Sequence, residues 1–155
     1  MVFVLPFWVT PLVLELTYVY AIARGDSEER TVAWWETGVL VTDILLWGTY
    51  KGHVDRVVIW HCVGSLIQLS VILTVMFRSN KLWPMMYAST VLVCLMTAVT
   101  EHFVRVSGWA YGTTIFVWSY IECLILGVAT WRAARARRAI FTQGIGGRSV
   151  VNVAG

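Results

Sequence analysis

The sequence predicts an all-α fold: a polytopic membrane helix bundle of about five transmembrane helices, with the N-terminus outside and the C-terminus inside. Composition is the first observation. Of 155 residues, 58% are hydrophobic and 14% charged, against about 45–50% and about 25% in an ordinary soluble domain. A mean hydropathy of +0.70 is hard to reconcile with a water-facing surface. The second observation is a rhythm of five apolar segments separated by short polar breaks. Each is about 20 residues, enough for ~30 Å of hydrocarbon at 1.5 Å per residue. The third is the distribution of basic residues, which sets the orientation.

The first segment, residues 2–23, stops at the run Arg24-Gly25-Asp26-Ser27-Glu28-Glu29-Arg30. No Lys or Arg precedes Arg24 and the apolar run is long, so a retained span is expected rather than a signal peptide. The second, 31–50, ends at Lys51-Gly52-His53, and the third, 57–77, ends at Arg78-Ser79-Asn80-Lys81. The fourth, 82–104, turns at Arg105-Val106-Ser107-Gly108, and the fifth, 109–131, ends in an arginine-rich run over 132–138. Barrel strands would be about half as long and would alternate polar with apolar residues, which these do not. With the N-terminus outside, the inner side collects nine Lys and Arg residues and the outer side three, Lys51, Arg56 and Arg105, as the positive-inside rule requires. The arginine run then serves as a stop-transfer flank that attracts anionic lipid. Trp8, Trp83, Trp109 and Trp131 fall near span ends, where an interfacial belt accounts for them. Residues 1–138 are thus read as the bundle. Residues 139–155, rich in Gly and without an amphipathic repeat, are read as a flexible tail.

Other classes are disfavoured. A net charge of +3, gathered largely at one end, is not a nucleic-acid footprint. Cys62, Cys94 and Cys123 form no C-x-x-C pair and are expected as buried thiols acting as small hydrophobes. Neither H-x-x-x-H nor E-x-x-H occurs at helical spacing, so no metal site is expected, and no cofactor is implied.

Five acids fall inside the apolar segments: Glu15, Glu36, Asp43, Glu101 and Glu122. A carboxylate at membrane depth costs several kcal/mol and usually faces a bundle interior or a wet cavity. Glu36 and Glu101 lie near span ends, within reach of the interface, whereas Glu15, Asp43 and Glu122 are deeper. Helical spacing places these acids on stripes with aromatic and polar neighbours. Trp8, Glu15 and Tyr18 share a face of the first segment, and Glu36, Leu40, Asp43 and Trp47 a face of the second. The third carries His61, Ser65 and Gln68. The fourth carries Tyr87, Thr90, Cys94, Thr97 and Glu101, and the fifth Tyr111, Trp118 and Glu122. A polar face on every helix implies an interior cavity or a hydrogen-bonded core. Hydroxyl, amide and imidazole groups on such faces also serve simply to hold helices together. Five acids with few intramembrane bases exceed that need. A protonated acid among aromatic faces suits general-acid chemistry on an alkene or epoxide, with the rings steadying a cation.

The elements Leu5-Pro6, Glu15 with Tyr18 three residues on, and Glu29-Arg30 resemble the small integral-membrane terpene cyclases of fungal meroterpenoid and indole-diterpene pathways. In that family a W-E-x-x-Y element supplies the acid that protonates the substrate; here Leu14 stands in place of the Trp. A second likeness, through Thr100-Glu101-His102 and the aromatic run 116–120, is to EXPERA-domain sterol isomerases, whose early His and Glu pair has no counterpart. The resemblance implies an intramembrane cyclase (a lyase) or isomerase acting on an apolar isoprenoid or sterol. Glu15 would be the proton donor, with Asp43 and Glu122 tuning or receiving the proton. Tyr18, Trp47, Trp118 and Glu101 would line the substrate path. The residues themselves leave two other classes open: a small transporter or proton relay, and a structural subunit whose acids pair with partners in an oligomer or larger complex. The setting is the endoplasmic reticulum in a eukaryote or the inner membrane in a bacterium.

Overall fold

The computed structural model describes residues 9–49, 54–104 and 108–151, with side chains except at 46–49, 54–58, 102, 108–109 and 141–151. Among these residues all regular structure is α-helical: α1 (Val9–Arg24), α2 (Ser27–Thr49), α3 (Val54–Arg78), α4 (Trp83–Val104) and α5 (Gly108–Val151). Three stretches are long and apolar enough to cross a membrane: Ile59–Arg78, Trp83–Glu101 and Ala110–Ile140. The described part of α1 is shorter, and α2 carries the charge of Glu28, Glu29, Arg30, Glu36 and Asp43.

The helices form a ring in the order α2, α1, α5, α4, α3, and the contact between α3 and α2 that closes it is the slightest of the five. Helices α1 and α5 run parallel. The register is read from Thr10 bonded to Tyr120 at 2.8 Å, the Thr17 methyl facing Gly127, and the Arg24 carbonyl accepting from Arg137. The main core cluster is built from Leu14, Tyr18 and Ala21 of α1, Val32 and Ala33 of α2, Ile72 and Val75 of α3, Tyr87 and Val91 of α4, and Cys123 and Leu126 of α5, and a smaller one joins Ala98 to Tyr111. Ala21, Ala33 and Ala98 are fully buried, because a methyl side chain lets helix backbones approach closely. The larger apolar side chains turn outward instead: Leu16, Leu45, Met86 and Leu124 are each more than half exposed. Such an outer surface fits hydrocarbon rather than water.

One end of the ring is stapled by charge. Asp26 caps α2, and its backbone N–H donates to Glu29 Oε2 at 3.0 Å, half of a capping box. Glu28 and Glu29 in the first turn also oppose the positive end of the helix dipole. Lys81, from the turn between α3 and α4, reaches Asp26, Glu28 and Glu29 at 3.0 Å each. Arg137 of α5 joins the group through Asp26 at 3.5 Å. Gly25 permits the tight α1–α2 corner: a Cβ there would lie 2.4 Å from the Ala21 carbonyl oxygen and 2.7 Å from Glu29 Cβ.

Helix α5 continues past Arg138 to Val151 without a break, so residues expected as a tail begin as an extension of the fifth helix. Arginine and alanine are strong helix formers and carry the backbone on where apolarity stops. Arg135 lies over the Trp131 ring at 5.4 Å, a cation–π contact that supports the same turn.

Candidate functional site

Glu29, Glu36 and Asp43 follow one another at seven-residue intervals on α2. That spacing is about 10.5 Å per step and keeps all three near one stripe. Because α2 turns this stripe toward the ring, Glu29 is 0% exposed and Glu36 5% exposed, and Asp43 is half-buried. The acids form a column running from the Lys81 end of the bundle toward its other end.

At mid-height the column meets all the other helices. Gln68 of α3 donates through Nε2 to Glu36 Oε1 at 2.6 Å. Glu122 of α5, 6% exposed, lies in the electrostatic field of Glu36 and beside the same Gln68. Cys94 of α4 donates through Sγ to Glu122 Oε1 at 3.8 Å. Tyr87 of α4 sits beside Glu36 with its hydroxyl fully buried and outside hydrogen-bonding geometry. Tyr18 of α1, 4% exposed, comes in beside Cys123 and the two acids. Here the polar faces produce a hydrogen-bonded core, one of the two outcomes that the stripes allow.

Beyond Glu36 the column opens outward. Trp60 Nε1 donates to Asp43 Oδ1 at 3.0 Å. His61, the next residue of α3, shares the field of Asp43 and meets Tyr111 of α5 edge-on, with ring centroids 6.2 Å apart. Tyr111 and Glu101 line a groove of about 290 Å³ between α4 and α5.

The candidate residues therefore divide. Glu122, Tyr18 and Asp43 belong to the column, and Glu101 lines the groove. Glu15 stands apart: it is half-buried, makes no hydrogen bond or ion pair among the described residues, and is flanked by the exposed Leu12, Leu16 and Val19. Trp118 is half-buried on α5, and the Trp47 side chain lies outside the described residues.

Two expectations need correction. Glu36, within reach of an interface by its place in the sequence, turns into the bundle and is buried against Gln68, with α2 starting four residues earlier than its apolar run. Nor are the three cysteines alike. Cys94 is a donor to Glu122, and Cys62 is only partly buried. In the sequence Glu29 reads as a loop acid and Gln68 as one of the polar groups that hold helices together. The signal that marks Glu29 is the heptad spacing Glu29–Glu36–Asp43. Gln68 could be assigned only by knowing which helix faces α2.

Comparison with protein-family models, with curated proteins and with solved structures finds no match to this chain.

Proposed function

We propose that this chain is a five-pass membrane protein, N-terminus outside and C-terminus inside, whose carboxyl column passes a proton across the bundle. The observation that carries the reading is the meeting of Glu36 and Glu122 at Gln68, with further acids toward each end of α2. Two carboxyl groups sharing one buried, low-dielectric site do not both ionise readily. A single proton can pass between them with Gln68 reorienting. The steps from Glu36 to Asp43 and to Glu29 are too long for a direct hydrogen bond, so intervening water or hydroxyl groups carry the proton there. The Lys81 end becomes the inner end, since Arg24, Arg78, Lys81 and the arginines of α5 gather there. The membrane is the endoplasmic reticulum in a eukaryote or the inner membrane in a bacterium.

Purified protein in liposomes with an entrapped pH dye and an imposed potassium potential tests the reading. Potential-driven pH change well above that of protein-free vesicles is expected; equal rates would exclude the relay. Protease protection at tags on each terminus should place the two ends on opposite sides. Finding both on one side would remove the five-pass topology.

A second reading rests on Glu15. An unpartnered acid on a face bordered by Leu12, Leu16 and Val19 is open to an apolar substrate arriving through the hydrocarbon. This supports the cyclase or isomerase suggested by the terpene cyclase resemblance, with Tyr18 one turn along α1 but turned into the core beside Cys123. On this reading Glu15→Gln folds normally, since the amide fills the same volume, and loses turnover of an epoxidised isoprenoid by about 10²–10⁴-fold. Unchanged product formation in that variant would rule out Glu15 as donor.

A further inference from the structure

Two side chains lining the groove between α4 and α5 each carry a buried polar atom that the described residues do not satisfy. Glu101 is 7% exposed and Tyr111 8% exposed, and both line the groove. Glu101 Oε2 and the Tyr111 hydroxyl are each buried without a hydrogen-bond partner. An orphaned buried acceptor or hydroxyl is costly, and such atoms in a native fold call for an explanation. The groove walls do not supply partners. Thr97, Thr100 and Thr114 line it, but each hydroxyl is already turned back onto the carbonyl four residues earlier, Val93, Met96 and Ala110 respectively. The threonines thus present methyl groups, and with Val93 and Met96 they make the walls apolar. A volume of about 290 Å³ is close to the lower bound for small-molecule sites, about 300 Å³.

We propose that this groove binds an apolar molecule bearing a single hydroxyl group, a long-chain or polycyclic alcohol drawn from the membrane. A hydroxyl has one donor and acceptor lone pairs. Once the two side chains turn toward the groove, its O–H donates to Glu101 Oε2 and its oxygen accepts from the Tyr111 O–H, so one group satisfies both orphaned atoms. An ammonium head matches less well: it has three donors and no acceptor, which leaves the Tyr111 proton unused. The exposed Val93 and Met96 side chains on the outer face of α4 give the apolar body a route in from the hydrocarbon.

The test uses the full chain in phosphatidylcholine nanodiscs with a photoreactive, alkyne-tagged fatty alcohol. Labelling should map to peptides carrying Glu101 and Tyr111, and decanol should displace it while decane does not. Tyr111→Phe, which keeps the ring against His61, and Glu101→Leu should each weaken decanol competition by roughly tenfold. If Glu101→Leu fails to fold, Tyr111→Phe decides alone. Labelling elsewhere, displacement by decane as strong as by decanol, stronger displacement by decylamine, or wild-type competition in Tyr111→Phe would each overturn the proposal.

Discussion

In vesicles, Glu36→Gln is expected to bring potential-driven proton entry down to the rate of protein-free membranes, with helix content and gel-filtration behaviour unchanged. The substitution keeps the volume of a side chain that is 5% exposed, so no cavity opens and no overpacking results. The amide oxygen at position 36 can still accept from Gln68 Nε2, preserving the link between α2 and α3 seen at 2.6 Å. An amide cannot bind and release a proton near neutral pH, so the shared proton at mid-height is lost. Glu122→Gln should do the same, since Glu122 is the other member of the pair. Wild-type flux in both variants would leave the column as a packing feature only.

The second large effect concerns the staple. Lys81→Met is expected to destabilise the bundle by about 2–3 kcal/mol. Removing one partner of a buried ion pair costs about 3–5 kcal/mol, discounted here because Lys81 is itself more than a third exposed and water can enter. The loss falls on Glu29, whose side chain is 1% exposed and whose Oε1 faces Lys81 at 3.0 Å. Glu29→Gln in the Lys81→Met background should restore part of the loss, since it removes the stranded charge. Partial burial works against the Lys81 charge, but the Asp26, Glu29 and Glu28 carboxylates outweigh it and raise its pKa above the usual lysine range. A raised lysine pKa contributes stability that is whole below the unfolded value, about 10.4, and fades as pH climbs through the folded value. The staple should therefore show no weakening between neutral pH and about pH 10. Detergent or denaturant unfolding followed by circular dichroism measures both effects; a change below about 0.5 kcal/mol for Lys81→Met would count against the staple.

The five helices were legible because apolarity and helix coincide over most of their length. Segments 57–77 and 82–104 match α3 and α4 within three residues at every end. They part where the backbone is helical for reasons other than apolarity. Ser27–Arg30 read as a loop, yet the Asp26–Glu29 cap makes them the first turn of α2. The arginine run read as an end, yet α5 passes through it. The site was legible as a set of acids and not as an arrangement. Glu15 and Glu36 look alike in sequence, because each lies on a stripe of mixed polar and aromatic residues and apolar residues surround that stripe, which leaves little phase to say which face turns inward. The contact of Glu36 with Gln68 spans 32 residues, and only the packing of α2 beside α3 creates it.

The order of helices around the ring bears on how the protein is made. The α1–α2 and α3–α4 hairpins leave the ribosome first, and each has its own packed partner. Between the two hairpins the helix-to-helix contacts are slight, marked by Glu36 with Gln68 and Asp43 with Trp60, and the Lys81 staple joins them at one end. Helix α5, synthesised after both, packs against α1 and α4 and anchors Arg137 at the α1–α2 corner. Until α5 arrives the two hairpins are held to each other mainly at the Lys81 end, with Glu122 still missing from its place opposite Glu36. The pairing of Glu36 with Glu122 comes into being only when α5 packs against both hairpins, so a nascent chain carries no assembled column before α5 has been made.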